Sequence, residues 1–307
     1  MTFLKKQECK FNYPVLTMGT FDGVHLGHQS LFKELKKRAE LANGEAIVLT
    51  YYHHPLETIH RKTFPYLLTE KDKKEELLKK FGIDCIFYLN FNEEMAKLSA
   101  DEFLKNIIIG EIKAKEIVVG YDTHFGRFRE GDYQFLKNNE EKYGYKVDII
   151  EPCKINNRII SSSLIRDFIR EGDIQDAAKC LGRLYSISGE VITGHKIGEK
   201  IGFPTINIHP HDANKLIPAI GVYICEVVIE ANKYFGLTNI GYSPTLKNKG
   251  IKEVETHILD FCGNLYNKKV EVFFHKRIRE EKLFASKQEL IKEIQNDIKK
   301  ARNYFDM

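Results

Sequence analysis

The sequence predicts a parallel α/β domain followed by an antiparallel β-sheet or small barrel and a terminal helix. Three observations carry this expectation. From residue 15 to about 181, short apolar runs alternate with amphipathic segments, the pattern of a parallel sheet with right-handed crossovers. After Gly182 the strand-like runs follow one another across Gly, Pro and Asn turns without long helices between them, which is antiparallel patterning. Near the end, Leu290, Ile291, Ile294, Ile298, Ala301 and Phe305 share one helical stripe behind a Ser286/Glu289 capping box, so an amphipathic helix packs on the barrel.

The elements follow in order. Apolar, β-branched residues at 15–18 read as the first strand, a turn carries Gly19, Asp22 and Gly23, and Leu31, Phe32, Leu35 and Ala39 recur at helical spacing. Further strands are expected at 46–51, 85–89, 116–120 and 147–150, with helices at 70–81, 100–109 and 133–143. Ser99 with Glu102 makes a capping box for the second of these helices. Two short helices at 164–171 and 174–181 flank Gly172-Asp173, a break and a cap. Strands at 185–193, 222–229, 234–240, 254–261 and 269–274 complete the second half. The change of pattern sets two domains, 1–182 and 183–307, with no low-complexity linker between them.

Composition narrows the class. At 307 residues, 43% hydrophobic and 29% charged, the chain has ample material for two cores. A net charge of +4 suits anionic substrates but is too weak to argue for nucleic acid. No apolar run reaches membrane-span length, and residues 1–10 lack the apolar core of a secretory signal. Six scattered cysteines without a C-x-x-C pair indicate neither a zinc site nor a disulfide framework, so a reducing cytoplasm is the expected compartment.

The chemistry concentrates in a few stretches. Leu16-Thr-Met-Gly-Thr-Phe-Asp-Gly-Val-His-Leu-Gly-His28 puts His25 and His28 on one face at a helix start, beside Gly27. Free N–H groups and the positive end of the helix dipole favour an anion there, and two imidazoles beside it can stabilise charge building on phosphorus. Ile160-Ser-Ser-Ser-Leu-Ile-Arg166 places Ser162 and Arg166 at another helix start. Caps and a surface charge are one account of them; a clamp for triphosphate oxygens is the other. In the second half, Gly194-His-Lys-Ile-Gly-Glu-Lys-Ile-Gly-Phe-Pro-Thr-Ile-Asn207 has glycine every fourth residue, with Lys196 and Lys200 to meet phosphate. In an extended segment Thr205 and Asn207 point to the same side. They either bond to neighbours or offer hard oxygens to a Mg²⁺ that stays mostly on water and nucleotide.

These motifs carry a resemblance. The first two are similar to the two ATP motifs of the Rossmann-like nucleotidyltransferases, which implies that Gly19, Phe21, Asp22, Ser162 and Arg166 contact ATP and that His25 and His28 act in catalysis. His54-Pro55 follows a strand end, where ligands collect in open α/β sheets. Gly120-Tyr-Asp-Thr-His-Phe-Gly126 resembles the flavin-side loop of bacterial FAD synthetases, with Thr123 and His124 replacing the usual aromatic and arginine; the resemblance implies Asp122 and Phe125 at FMN.

The glycine loop, Pro204-Thr-Ile-Asn207, Asn239-Ile-Gly-Tyr-Ser-Pro-Thr245, Val254-Glu-Thr-His-Ile-Leu-Asp-Phe261 and Arg277-Ile-Arg-Glu-Glu-Lys-Leu-Phe284 resemble riboflavin kinase. That family implies Gly194, Lys200, Thr205 and Asn207 at the Mg²⁺–nucleotide, Arg277 and Arg279 at flavin, and Glu255 as catalytic base. The other reading of Glu255 is a solvent-facing charge beside Lys252 and Glu253, against which its apolar surroundings on the strand argue. Gly263-Asn-Leu-Tyr-Asn267 departs from the family's G-D-L-Y-G at Asn264 and Asn267, yet asparagine tolerates left-handed backbone and keeps the turn.

The whole resembles the bacterial bifunctional riboflavin kinase/FAD synthetases. It implies that ATP and riboflavin give FMN in the C-terminal domain, and that FMN and ATP give FAD and pyrophosphate in the N-terminal one, with no nucleic-acid or membrane partner. Two rivals stand beside it. One is an enzyme with a single live domain, suggested by the Asn264, Asn267 and Thr123-His124 departures; the other is a flavin- or nucleotide-binding module without turnover.

Overall fold

The computed structural model describes residues 11–53, 55, 66–194, 198, 201–242 and 252–307. His54, Lys196, Lys200 and Ser243–Thr245 therefore lie outside the described residues. The chain forms two compact units, Met1–Ser162 and Ser163–Met307.

In the first unit β1 (Pro14–Met18), β2 (Glu45–Tyr51), β3 (Cys85–Leu89), β4 (Glu116–Gly120) and β5 (Lys146–Ile150) form one sheet in the order β3-β2-β1-β4-β5. Every pairing is parallel. All five strands lie where the apolar runs put them, within a residue at either end. Leu16 and Met18 enter one buried cluster and Val15 the other, the two-residue alternation of a strand buried on both faces. The chain steps outward through β2 and β3, then returns to lay β4 against the other side of β1. A reversal of this kind opens a crevice at the carboxyl ends of the two central strands, here Met18 and Gly120.

Helix α1 (Leu26–Leu41) buries Leu31, Phe32, Leu35 and Ala39, the stripe read from the sequence. Helix α2 (Lys71–Lys80) buries Leu77 and Leu78, and also Lys74. The capping box at Ser99 forms with both reciprocal bonds. The helix behind it departs from expectation: after α3 (Glu93–Ala96), α4 (Ala100–Phe103) passes into a π-helical stretch, Leu104–Ile112, which buries Leu104, Ile107, Ile108 and Ile112 together. The expected helix at 133–143 is two, α5 (Tyr133–Asn138) and α6 (Glu140–Tyr143), broken at Asn139. A two-residue hairpin joins β6 (Lys154–Ile155) to β7 (Arg158–Ile159). Asn156 and Asn157 both have positive φ, 47° and 62°, as a type I′ turn requires.

In the second unit α7 (Ser162–Glu171) leads into α8 (Ile174–Leu181), which packs on β8 (Tyr185–Ile192) and β13 (Lys269–Arg279). With β9 (Ile206–Pro210), β10 (Gly221–Ile229), β11 (Asn232–Tyr242) and β12 (Lys252–Ile258) they form a closed barrel, β10-β11-β12-β9-β8-β13. Every described pairing in it is antiparallel. The terminal helix α9 (Lys287–Tyr304) lies on the outer wall formed by Val222, Ile224 and Leu237, with Ala301 buried and Phe305 stacked on Phe235 at 4.0 Å. Its N-terminus is not the reciprocal box expected. Ser286 Oγ accepts from the Glu289 N–H, but Glu289 accepts from Ala285 N–H one residue upstream. Asn267 takes φ 63°, and Asn264 Oδ1 accepts from Tyr266 N–H at 3.0 Å, so both asparagine departures keep a formed turn.

Candidate active sites

The loop between β1 and α1 is held from below. Asp22 is buried, and its carboxylate accepts from the Leu68 and Thr69 N–H groups at 3.0–3.1 Å. Ser162 Oγ donates to the Asp22 carbonyl at 2.8 Å, which brings the serine motif to the histidine motif within one unit. Phe21 is buried, edge-on to Phe32 and to His28 at 5.0 and 5.2 Å. The side chains of Phe21 and Asp22, expected at ATP, thus point inward and shape the loop; what they leave for a ligand is backbone. Phe21 and Val24 carry φ of 50° and 42°, conformations that cost a non-glycine residue energy and persist where the surroundings impose them.

Above this base the two imidazoles meet. His25 caps α1, its Nδ1 accepting from the His28 N–H at 3.4 Å, and the rings stack with centroids 3.6 Å apart. With Nδ1 an acceptor, a neutral His25 carries its proton on Nε2 and can donate from it. A side chain at Gly27 would press the His25 ring at 3.2 Å. Arg166 is buried on α7, within the second compact unit.

On the β4 side, Asp122 is exposed and its carbonyl lies 2.8 Å from His124 Nδ1, which Arg129 approaches at 3.1 Å. Phe125 departs from expectation. Its ring is buried against Phe103 and Phe135 at 5.5 and 5.9 Å, so the side chain anchors the loop in the core and leaves the neighbouring polar residues outermost.

In the barrel, register assembles the polar groups. Asn239 pairs with Glu255 across β11–β12, Glu255 with Asn207 across β12–β9, and Asn207 with Ile192 across β9–β8. Directly opposed residues share a face, so Asn239, Glu255 and Asn207 stand in one row. The next residues, Thr238 and Thr256, point the other way and bond to each other at 2.9 Å, fully buried. Thr205 Oγ1 donates to Glu255 Oε1 at 2.5 Å. A Cβ on Gly194 would collide with the Asn207 amide, so glycine there is what lets the loop close over it.

Two cavities meet at this row. One, of about 260 Å³, runs from Glu255 and Asn239 beneath Phe203, Leu237, Phe284 and Ile294 of the barrel wall, the following loop and α9. The other, of about 420 Å³, is lined by Gly194, Asn207, Gly263, Asn264 and Tyr266. Thr205 lines both. Asn239 is an unremarkable member of its motif in the sequence, and its place becomes legible only when β11 is registered against β12.

The arginines separate. Arg279 reaches the apolar cavity and donates to the buried Asp297 of α9 at 2.7 Å. Arg277, expected beside it at flavin, donates to the Ile220 carbonyl and lines, with Gly172 and Asp173, a second hollow that Arg279 also reaches; it does not line the apolar cavity. Successive residues of a strand alternate faces, but Arg277 and Arg279 are two apart; one irregularity in the β10–β13 register lies between them.

Comparison with known proteins covers both halves of the chain. Residues 8–164 match the FAD synthetase family and residues 181–305 the riboflavin kinase family. A bifunctional riboflavin kinase/FMN adenylyltransferase of Buchnera aphidicola subsp. Schizaphis graminum is 40% identical over 95% of this chain and 94% of its own. The chain belongs to the bifunctional riboflavin kinase/FMN adenylyltransferase family. The Escherichia coli member is 33% identical over 95% of this chain and 93% of its own. The crystal structure of a macrolide-efflux protein from Streptococcus pneumoniae superposes with a TM-score of 0.87 at 31% identity, covering 95% of this chain and 94% of that one. No helix among the described residues is long and apolar enough to cross a membrane.

Proposed function

We propose that the two halves of the molecule carry the two activities of the family in chain order, with 1–182 joining FMN to ATP and 183–307 phosphorylating riboflavin. The observation that carries the kinase half is the junction of two cavities at Thr205, whose hydroxyl lies on the Glu255 carboxylate. The apolar cavity suits the flat, aromatic flavin, and the glycine-edged, more polar one suits the nucleotide. A riboflavin seated in the first directs its terminal hydroxyl toward Glu255. That oxygen attacks the γ-phosphorus, ADP leaves, and Glu255 accepts the hydroxyl proton as the bond forms.

Thr205 and Asn207 offer a hydroxyl and an amide oxygen from one face. Neutral hard oxygens of this kind fit a Mg²⁺ that arrives on the nucleotide, and among the described residues no group of three His, Cys, Asp or Glu side chains is gathered for a metal. The ion, when bound, neutralises phosphate charge. The protein residues orient the nucleotide and keep Glu255 within reach of the flavin hydroxyl.

In the adenylyl-transfer half, the N-terminus of α1 and the stacked histidines suit the polyphosphate. A phosphate oxygen of FMN attacks the α-phosphorus of ATP and pyrophosphate leaves. His25, donating from Nε2, and His28 stabilise the charge that develops. Ser162 serves the same nucleotide, and Asp122 the flavin phosphate side. We place the protein in the cytoplasm, where ATP and reduced thiols are found.

Incubation with riboflavin, ATP and Mg²⁺, followed by chromatography over time, tests the reading. FMN followed by FAD supports two live sites. FMN alone leaves a kinase only, and no product leaves a binding module.

A further inference from the structure

Lys74 is the one lysine of α2 that the fold buries. Lys71, Lys73 and Lys80 of the same helix hold surface ion pairs with Glu75 and Glu76. The Lys74 ammonium instead reaches the Thr20 carbonyl and the Thr50 hydroxyl, each at 3.3 Å, and Thr50 Oγ1 itself donates to Thr20 O at 3.2 Å. No carboxylate forms an ion pair with Lys74 among the described residues; Asp22 and Glu75 favour its charge from farther away. Burial drives its pKa down to about 8, the sign of a cation held without full compensation.

A lysine in such a place is costly, and a leucine or methionine would fill the space without that cost. Thr20 is the second residue of the loop after β1, directly before strained Phe21. α2 and its lead-in therefore grip this loop twice, through the Asp22 carboxylate and through the Thr20 carbonyl.

We propose that Lys74 is a positioning residue for adenylyl transfer, fixing the Thr20 carbonyl so that the loop presents its backbone to the nucleotide phosphates and adding a buried positive charge beneath them. The inference rests on the assignment of this loop to ATP. It concerns a helix that neither the histidine nor the serine motif includes.

The test is Lys74→Met, which keeps the stem and removes charge and donors. Loss of a hydrogen bond from a charged group corresponds to about 10–100-fold, so KM for MgATP in FAD formation should rise by that factor, with a smaller fall in kcat. KM for FMN and riboflavin phosphorylation by the same preparation should stay within about twofold. Should the methionine variant fail to fold, Lys74→Gln, which keeps a donor, is read against the same parameters and should fall between. An unchanged KM for MgATP, or equal losses for MgATP, FMN and thermal stability, overturns the inference. His28→Ala in the same assay separates the two claims. Retained FAD formation there overturns the loop's role and the Lys74 inference together; lost FAD formation beside a normal Lys74 variant overturns only the latter.

Discussion

In the α/β unit the candidate chemistry hangs on a loop, whereas in the barrel it stands on strands. His25 and His28 owe their positions to a cap, a stacked pair and a turn with two strained residues, all pinned from below by Asp22, Ser162 and Lys74. Asn239, Glu255 and Asn207 need no such anchors, because ladder hydrogen bonds place them in one row. A loop site permits backbone N–H groups to meet phosphate but depends on remote contacts. A strand site is rigid and depends on register. Each should therefore fail in its own way.

Breaking the barrel site at its proposed base should give the largest effect. Glu255→Gln keeps size and cannot accept the proton, so riboflavin kinase turnover should fall by about 10²–10⁴. Flavin binding and FMN adenylylation should be unaffected. Near-normal turnover in steady-state assays would return Glu255 to the solvent-facing reading.

The loop site should break next most sharply at His28. Alanine there should lower FAD formation by about 10²–10³ while FMN formation stays normal, and His25→Ala should do less damage to rate. His25→Ala should also cost about 1 kcal/mol of stability as a lost helix cap, which thermal melting can read. A parallel fall of both activities in a folded variant would sink the two-site assignment.

A backbone change sharpens the contrast. Gly194→Ala forces a methyl group onto the Asn207 amide, so kinase kcat/KM for MgATP should drop by up to about 10²-fold through misplacement. FAD formation from supplied FMN should not change. Comparable losses in both reactions would show that the glycine serves general folding.

The smallest effect concerns where the kinase unit begins. A fragment spanning 183–307 should fold and make FMN but no FAD. The compact unit starts earlier, at Ser163, and α8 lays Ile174, Ala177, Cys180 and Leu181 against the barrel. The 163–307 fragment should therefore melt about 5 °C or more above the shorter one. Equal melting temperatures would make α7 and α8 dispensable to the barrel.

Much of this was legible in the residues. Strands buried on both faces announce themselves as apolar runs, and the stripe of α1 is periodic throughout. Where local pattern and tertiary demand diverge, reading stops. Lys74 sits in Lys71-Asp-Lys-Lys-Glu-Glu, a run that reads as solvated surface, and only packing singles it out. β9 carries too weak a periodic signal to stand out as a strand, because its five residues are bounded by prolines and a histidine, although Thr205 and Asn207 share a side in any extended segment. Phe125 shows the converse: a motif position names a residue type, and only packing shows that its ring anchors the loop in the core. Pairwise register, which unites Asn239 with Glu255, is invisible without a sheet.

That register has a practical consequence. Slipping β12 by one residue against its neighbours would turn Glu253, Glu255 and His257 into the barrel interior and Val254, Thr256 and Ile258 outward, so a slipped strand buries unpaired charge and strips the core. The pairing that buries Val254, Thr256 and Ile258 is therefore the pairing that lines up Asn239, Glu255 and Asn207, and closing the barrel assembles the polar row with no separate step.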